Sequence, residues 1–388
     1  MAIVDCLSSC HEELRTWRHD LHAHPEIAFE EHLTSAFVAE KLQSFGLQVH
    51  RGLAKTGVVG TLQVGTSERA IGLRSDMDAL NMVELNEFQH RSAIPGKMHA
   101  CGHDGHMTML LGAARCLAQT RSFDGTVHFI FQPAEENEAG ARVMVEQGLF
   151  ERFPVHAVFS LHNMPGFEVG SFATRVGPLM AAADFFFITV RGMGSHAATP
   201  HVSVDPIPVA AEIVLALQSI VSRNLDPLDS AVISVTQING GSTTNVIPDK
   251  VKIAGTVRTF QSSVQSRIEH RIREIAQNIA AAHEASAEVH YDRRYPPLVN
   301  HPAETDMALS AASDISGSEF VQGDVAPIMG AEDFSWMLQA RPGNCIWLGS
   351  GKGGPSVHTP KYDFNDDILP IGASYWVRLV ERFLTRNG

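Results

Sequence analysis

Short runs in which nearly every position is apolar alternate along this chain with longer stretches whose apolar residues recur at three- and four-residue spacing. The first kind predicts buried strands, at residues 57–64, 70–74, 126–131, 155–161 and 345–349. The second predicts helices, among them one whose apolar stripe runs Met107, Leu110, Leu111, Ala114, Leu117. The N-terminal segment reads as helical through about Phe45, with a break at His24-Pro25, because proline removes a backbone donor and restricts the residue before it. Strands alternating with helices predict an α/β domain with a mostly parallel sheet and helices on both faces.

Between Ala181 and Arg293 the pattern changes. Strand-like alternation at 184–191, 231–238, 250–260 and 288–293 encloses helical spacing at 206–223 and 263–285. That order, βαββαβ, predicts a ferredoxin-like α+β domain. The expected organisation is therefore a first domain built from residues 1–180 and 294–388, with a second domain, 181–293, inserted into it. The two joints are neighbouring chain crossings, a hinge geometry, so the insert is expected to act as a moving lid.

Length agrees with two domains, since 388 residues exceed one ordinary core. A net charge of −13 argues against nucleic acid or an anionic membrane as partner, though not against a small anionic substrate. No apolar run is long enough to span a membrane, and no basic-then-apolar leader opens the chain. The five cysteines are odd in number and scattered, which fits a reducing compartment, so the expected location is cytoplasmic.

Twenty histidines direct attention to metal chemistry. Cys101 and His103 stand two residues apart where the Met107 helix begins, and a helix N-terminus lowers a thiol pKa and so favours the thiolate a metal needs. Asp76 and Asp78 follow a buried strand, as a loop cap or as part of an ion site. Glu135 and Glu136 follow the 126–131 strand, Pro133 ending its ladder. Neighbours in extended chain face opposite sides, so one carboxylate can hold metal while the other faces a water; the alternative is a solvated acidic loop. His162 and His358 also follow strands. Ligands gather beyond the C-terminal ends of parallel strands, where all of these fall. Cys101, His103, Glu136, His162 and His358 are too many ligands for one ion and suit two that share a ligand. Three histidines crowd into residues 18–26, which reads as a polar helix end.

Seven segments together resemble the amidohydrolase branch of the dinuclear metallopeptidase family that includes aminoacylases and carboxypeptidase G. They are residues 18–26, Arg74-Ser75-Asp76-Met77-Asp78-Ala79-Leu80, residues 99–106 and 131–136, Gly194-Ser195-His196-Ala197-Ala198-Thr199-Pro200-His201, Thr244-Asn245-Val246-Ile247-Pro248 and Gly330-Ala331-Glu332-Asp333-Phe334. They come in the family's order and cover nearly the whole chain. The resemblance implies two divalent ions, zinc or manganese with cobalt or nickel as alternatives, held by Cys101, His103, Glu136, His162 and His358. It implies Glu135 as general base and His196 as a donor that polarises the scissile carbonyl, often across a homodimer interface. Asp78 is placed with the catalytic group, and Asn245 and Arg258 match substrate-binding positions. Asp76-Met77-Asp78 stands where the peptidase branches carry His-x-Asp, so the ligand inventory differs from theirs. The implied reaction is hydrolysis of the amide of an N-acyl or N-aroyl amino acid. A dipeptidase or carbamoylase would be the same chemistry on another substrate, and a non-catalytic binding protein is the alternative of a different class.

Overall fold

The structure is a computed structural model that describes residues 1–136 and 138–386. Helix α1 (His11–Ala23) ends at His24-Pro25 and α2 (His32–Ser44) follows after a non-helical segment, so the predicted break is longer than the proline alone. Strands β1 (Gln48–Leu53), β2 (Gly57–Val64) and β3 (Ala70–Asp76) lead to helix α3 (His103–Thr120). Then come β4 (Gly125–Gln132), β5 (Ala157–Pro165) and the two-residue β6 (Phe172–Ala173).

The chain next builds β7 (Ala183–Arg191), α4 (Pro206–Leu217), β8 (Ala231–Gly240), β9 (Lys250–Thr259), α5 (Ser262–Ala282) and β10 (Ser286–Tyr295). It closes with α6 (Pro302–Ser316), β11 (Val321–Gln322), β12 (Gly343–Gly351) and α7 (Leu369–Phe383).

Two compact units result: Met1–Leu179 with Val299–Ala326 and Asp333–Gly388, and Met180–Leu298 with Pro327–Glu332. The short return segment is not visible in the sequence pattern. It joins the second unit through backbone bonds from Ala181 N–H to the carbonyls of Ile328 (3.2 Å) and Gly330 (2.8 Å), pairings across about 150 residues that no local periodicity encodes.

In the first unit the sheet order is β1-β2-β4-β3-β5-β12-β6-β11. Its centre, β4-β3-β5-β12, is parallel, and β1, β2 and β6 add antiparallel pairings. Central strands are buried on both faces, which is why they read as continuous apolar runs. The edge strand β1 carries His50 and Arg51 and has no such run, so periodicity missed it. Helix α3, buried over most of its length, packs between α1 and α7 on this sheet. Because the four central strands run the same way, their C-terminal ends share one edge. Asp76 closes β3, Gln132 closes β4 ahead of Glu135, and β12 leads towards His358. His162 lies within β5 rather than just past it, since that strand continues to Pro165.

The second unit has sheet order β8-β9-β7-β10, all antiparallel, with one apolar core shared by α4 and α5. Order and connectivity are those of a ferredoxin-like βαββαβ unit.

Two readings of the sequence are corrected. The five cysteines, scattered in sequence, include one pair that the fold joins: Cys6 and Cys116 are disulfide-bonded with Cα atoms 5.7 Å apart, while Cys10, Cys101 and Cys345 are buried and outside that disulfide. Residues 18–26 are not simply a polar helix end, because Arg18 and His22 are fully buried. Arg18 Nε donates to Asp366 Oδ1 (2.8 Å) and Nη1 to Asp363 Oδ1 (2.8 Å). His22 sits between Asp104 (2.8 Å) and Glu84 (3.2 Å), and those two carboxylates raise its pKa to about 9 although burial opposes them. Helix periodicity shows which face is apolar; it does not show that a charged face meets buried acids from distant segments. Among the described residues no helix is long and apolar enough to cross a membrane.

Candidate metal centre

Gly102 sits between the thiol and the imidazole at the entry to α3, with φ +94°. A Cβ there would lie 2.5 Å from Asn163 Oδ1 and 2.8 Å from the Tyr362 hydroxyl, so glycine is needed for conformation and for room. The turn delivers Cys101 and His103 to the edge where β3, β4 and β5 end. His103 Nδ1 donates to the Asp78 carbonyl at 2.8 Å, which leaves Nε2 as the lone-pair nitrogen. His162 Nδ1 likewise donates to the Asn163 carbonyl at 2.6 Å, and its Nε2 stands 3.5 Å from Cys101 Sγ. Backbone carbonyls thus select the ring tautomers a metal would bind.

The five predicted ligands fall into two overlapping groups. Cys101, His103 and His162 bring ligand atoms within 4.8 Å of one another, and so do Cys101, Glu136 and His358. Cys101 belongs to both. His358 adopts φ +59° and its N–H donates to the Ala100 carbonyl at 2.7 Å, which ties its loop to the Cys101 turn.

Several observations fit a cation. His103 Nε2 and Glu136 Oε1 are buried without a hydrogen-bond partner. Glu136 Oε1 does lie 2.9 Å from His358 Nε2, but the contact is misaligned for a hydrogen bond, as two lone pairs aimed at one ion would be. Burial by itself would lower His103, yet Asp76, Asp78 and Glu136 lift it to about 10, so the pocket strongly favours positive charge. His162 is pushed down to about 3 by burial and the nearby His106, which keeps it a neutral donor. Sulfur, imidazole and carboxylate donors make a set suited to divalent transition ions.

The expected thiolate at Cys101 is corrected. Burial, then Glu136, Glu135 and Asp76, push its pKa well above the ordinary thiol value, so the helix N-terminus is outweighed. A thiolate here requires a bound cation.

Asp78 holds the glutamate loop through both of its carboxylate oxygens. Its Oδ1 accepts the Glu135 N–H (3.0 Å) and its Oδ2 the Glu136 N–H (2.9 Å). Glu135 is buried and groups with His103 and Glu136. Asp76 Oδ1 lies 2.7 Å from His106 Nδ1 and its Oδ2 accepts from Arg74 Nη1 at 2.8 Å, and Asp76 brings a ligand atom within 4.8 Å of His103 and His106.

Sequence reasoning assigned no role to three residues beneath this site. Arg74 is buried at the end of β3 and bonds Gln132 (2.7 Å), Asp76 and Asp333 (3.0 Å). Asp333 also accepts from Gln132 Nε2 and from the Ala141 N–H, tying the end of β4 to a motif 200 residues away. His106 bridges Asp76 and Asn163 Oδ1 (2.6 Å). The signal for Arg74 and Asp333 was a charge inside or beside an apolar run, which marks burial without naming the partner.

In the second unit, His196 pairs with Val246, and the Ala197 N–H donates to the Asn245 carbonyl at 3.0 Å, so these two predicted residues are neighbours. His196 Nδ1 accepts the Ala198 N–H at 3.0 Å, which leaves Nε2 as the ring nitrogen able to donate, and the side chain is exposed. Arg258 lies on β9, half-buried, with Nη1 donating to the Val257 carbonyl at 3.0 Å and the guanidinium over the Phe185 ring.

Comparison with known proteins agrees with this chemistry. The sequence profile of peptidase family M20/M25/M40 matches residues 72–382. The chain is 38% identical over 372 residues to hippurate hydrolase of Campylobacter jejuni, covering 96% of this chain and 97% of that protein. It is 40% identical over 383 residues to N-acetyl-L-cysteine deacetylase of Bacillus subtilis, covering 98% and 90%. Among solved structures, the Bacillus subtilis YXEP protein, titled a dinuclear metal binding peptidase from the M20 family, superposes with a TM-score of 0.85 at 33% identity, covering 96% of this chain and 98% of that one.

Proposed function

Because this chain belongs to peptidase family M20/M25/M40, we propose that it is a metal-dependent amidohydrolase that cleaves N-acyl or N-aroyl amino acids to a carboxylic acid and a free amino acid. The observation that carries the reading is a buried carboxylate, Glu135, set beside two ligand groups that share one thiol. In this reading Cys101, His103, Glu136, His162 and His358 would hold two divalent ions, their two ligand groups sharing Cys101. A thiol among imidazoles favours zinc on ligand softness, and manganese, cobalt and nickel remain alternatives.

When bound, the ions supply Lewis-acid polarisation of the amide carbonyl and acidify the attacking water. Glu135 takes the proton of that water at its carboxylate and delivers it to the departing amine. Asp78 keeps Glu135 aimed by holding the backbone on either side of its side chain. His196 contributes its Nε2–H to the oxygen that becomes negative, and Asn245 and Arg258 hold polar groups of the substrate. Residues 181–293 serve as lid and dimerisation domain, and the enzyme is a cytoplasmic homodimer in this reading.

The test is a panel of N-acetyl, N-benzoyl and indole-acetyl amino acids, assayed after chelation and metal add-back. Hydrolysis lost on chelation and restored by a divalent ion is the expected result. Turnover that ignores chelation, or no turnover on any member with any ion, overturns the reading.

A further inference from the structure

Glu31 precedes α2 at the capping position, where a side chain would ordinarily accept the helix's first amides. It does not do so. Glu26 takes that task, its carboxylate accepting Leu33 N–H (3.1 Å), Thr34 N–H (2.8 Å) and the Thr34 hydroxyl (2.9 Å). Glu31 is thereby released to turn inward, and it is completely buried.

What it meets there is the loop of the two glutamates. Segment 26–31 is laid beside the Asp78 turn by the Ala79 N–H to Glu26 carbonyl bond (2.7 Å) and the Ile27–Ala79 bridge. From that position Glu31 Oε1 accepts the Ala134 N–H at 2.9 Å, and Oε2 accepts the Thr56 hydroxyl at 2.6 Å. Ala134 has φ +57°, a left-handed conformation that costs a non-glycine residue energy and persists only where surroundings hold it. The next two amides, of Glu135 and Glu136, go to Asp78. Three successive backbone N–H groups are thus gripped by two buried carboxylates from segments far apart in sequence.

We propose that Glu31 is a positioning residue for the amide hydrolysis: by fixing the left-handed turn at Ala134, it sets the direction in which Glu135 presents its carboxylate. This rests on the reading of Glu135 as general base. Burial, with the charge of Asp78 adding to it, lifts the Glu31 carboxyl to about 7. A buried acid beside another acid is a costly way to fill space, and an apolar residue would serve packing alone better. Three of its features therefore go together: the released cap, the bond to a strained amide, and the place directly ahead of the base.

The experiment compares metal-loaded wild type with Glu31→Ala, Glu31→Gln and Glu135→Gln, measuring kcat, KM and ions per chain. A base displaced by about an ångström loses roughly tenfold to a hundredfold in rate. Glu31→Ala is expected to lose that in kcat, with KM within about twofold and metal content unchanged. Glu31→Gln keeps an oxygen for the Ala134 N–H and is expected to restore most of the rate. Adding Glu31→Ala to Glu135→Gln should cost nothing further, because the group being positioned is already gone. An effect on folding alone would instead add in both backgrounds.

Wild-type kcat in Glu31→Ala beside an inactive Glu135→Gln overturns the proposal and leaves the base assignment standing. Wild-type kcat in Glu135→Gln overturns the base assignment and the proposal with it. Loss of metal in Glu31→Ala also overturns it, since the residue would then act on the ligands. If Glu31→Ala does not fold, Glu31→Asp keeps the charge and shortens the reach by one methylene. A fall in its kcat at full metal content then supports the proposal, and an unchanged kcat overturns it.

Discussion

Replacing Asp78 by Asn separates a residue that holds the glutamate loop from one that holds metal. Both carboxylate oxygens accept backbone N–H groups, at 3.0 Å from Glu135 and 2.9 Å from Glu136. Asparagine retains one acceptor and puts an NH2 group against the other amide. One buried N–H is then unsatisfied, at a cost of about 1–3 kcal/mol, and the surviving bond falls from charge-assisted to neutral, about 1 kcal/mol more. The loop should therefore open more easily by about 2–4 kcal/mol, which in exchange rate is roughly 30- to 900-fold. Hydrogen exchange on the metal-free protein reads this directly in a peptide covering Ala134 to Glu136, with the peptide from strand β4 as internal control. Metal content of the reloaded variant should stay at the wild-type value. Unchanged exchange in the loop would refute the hydrogen-bond argument. Unchanged exchange together with loss of an ion would make Asp78 a ligand instead.

Other substitutions test the division of labour around the same edge. Glu135→Gln should keep its metal and lose turnover by about two to four orders of magnitude, the usual span for a general base, read by steady-state kinetics and elemental analysis. Glu136→Gln should bind metal more weakly and be partly rescued by excess ion; identical metal content and rescue in both variants would refute the split of roles. Cys101→Ser should lose at least one ion per chain by elemental analysis. The His22 pKa is raised in the fold to about 9 from an ordinary value of 6.5. Its contribution to stability is therefore full below about 6.5 and is lost as pH rises through about 9. His22→Gln should flatten the thermal-stability profile across that window, and an unaltered slope would refute the pairing with Asp104 and Glu84.

Local chemistry was legible in the chain wherever it depends on neighbours. The Cys101-x-His103 turn, the Glu135-Glu136 pair after a proline-ended strand, and the apolar runs of the buried strands all declare themselves within a few residues. The same holds for the βαββαβ order of the insert, since periodicity records which face of each element is buried. Tertiary structure alone decided which groups meet. Glu31 and Ala134 are 103 residues apart, Cys6 and Cys116 are 110 apart, and Arg74 finds Asp333 across 259. No spacing rule connects such pairs, because sheet order and register bring them together. The Cys101 thiol shows the same limit in its electrostatics. Its place before a helix suggested an easily ionised thiol, whereas desolvation and three carboxylates raise its pKa. A helix N-terminus is a feature of sequence-local structure, but burial and the company of charges are properties of the assembled fold, and at close range they are the larger effects.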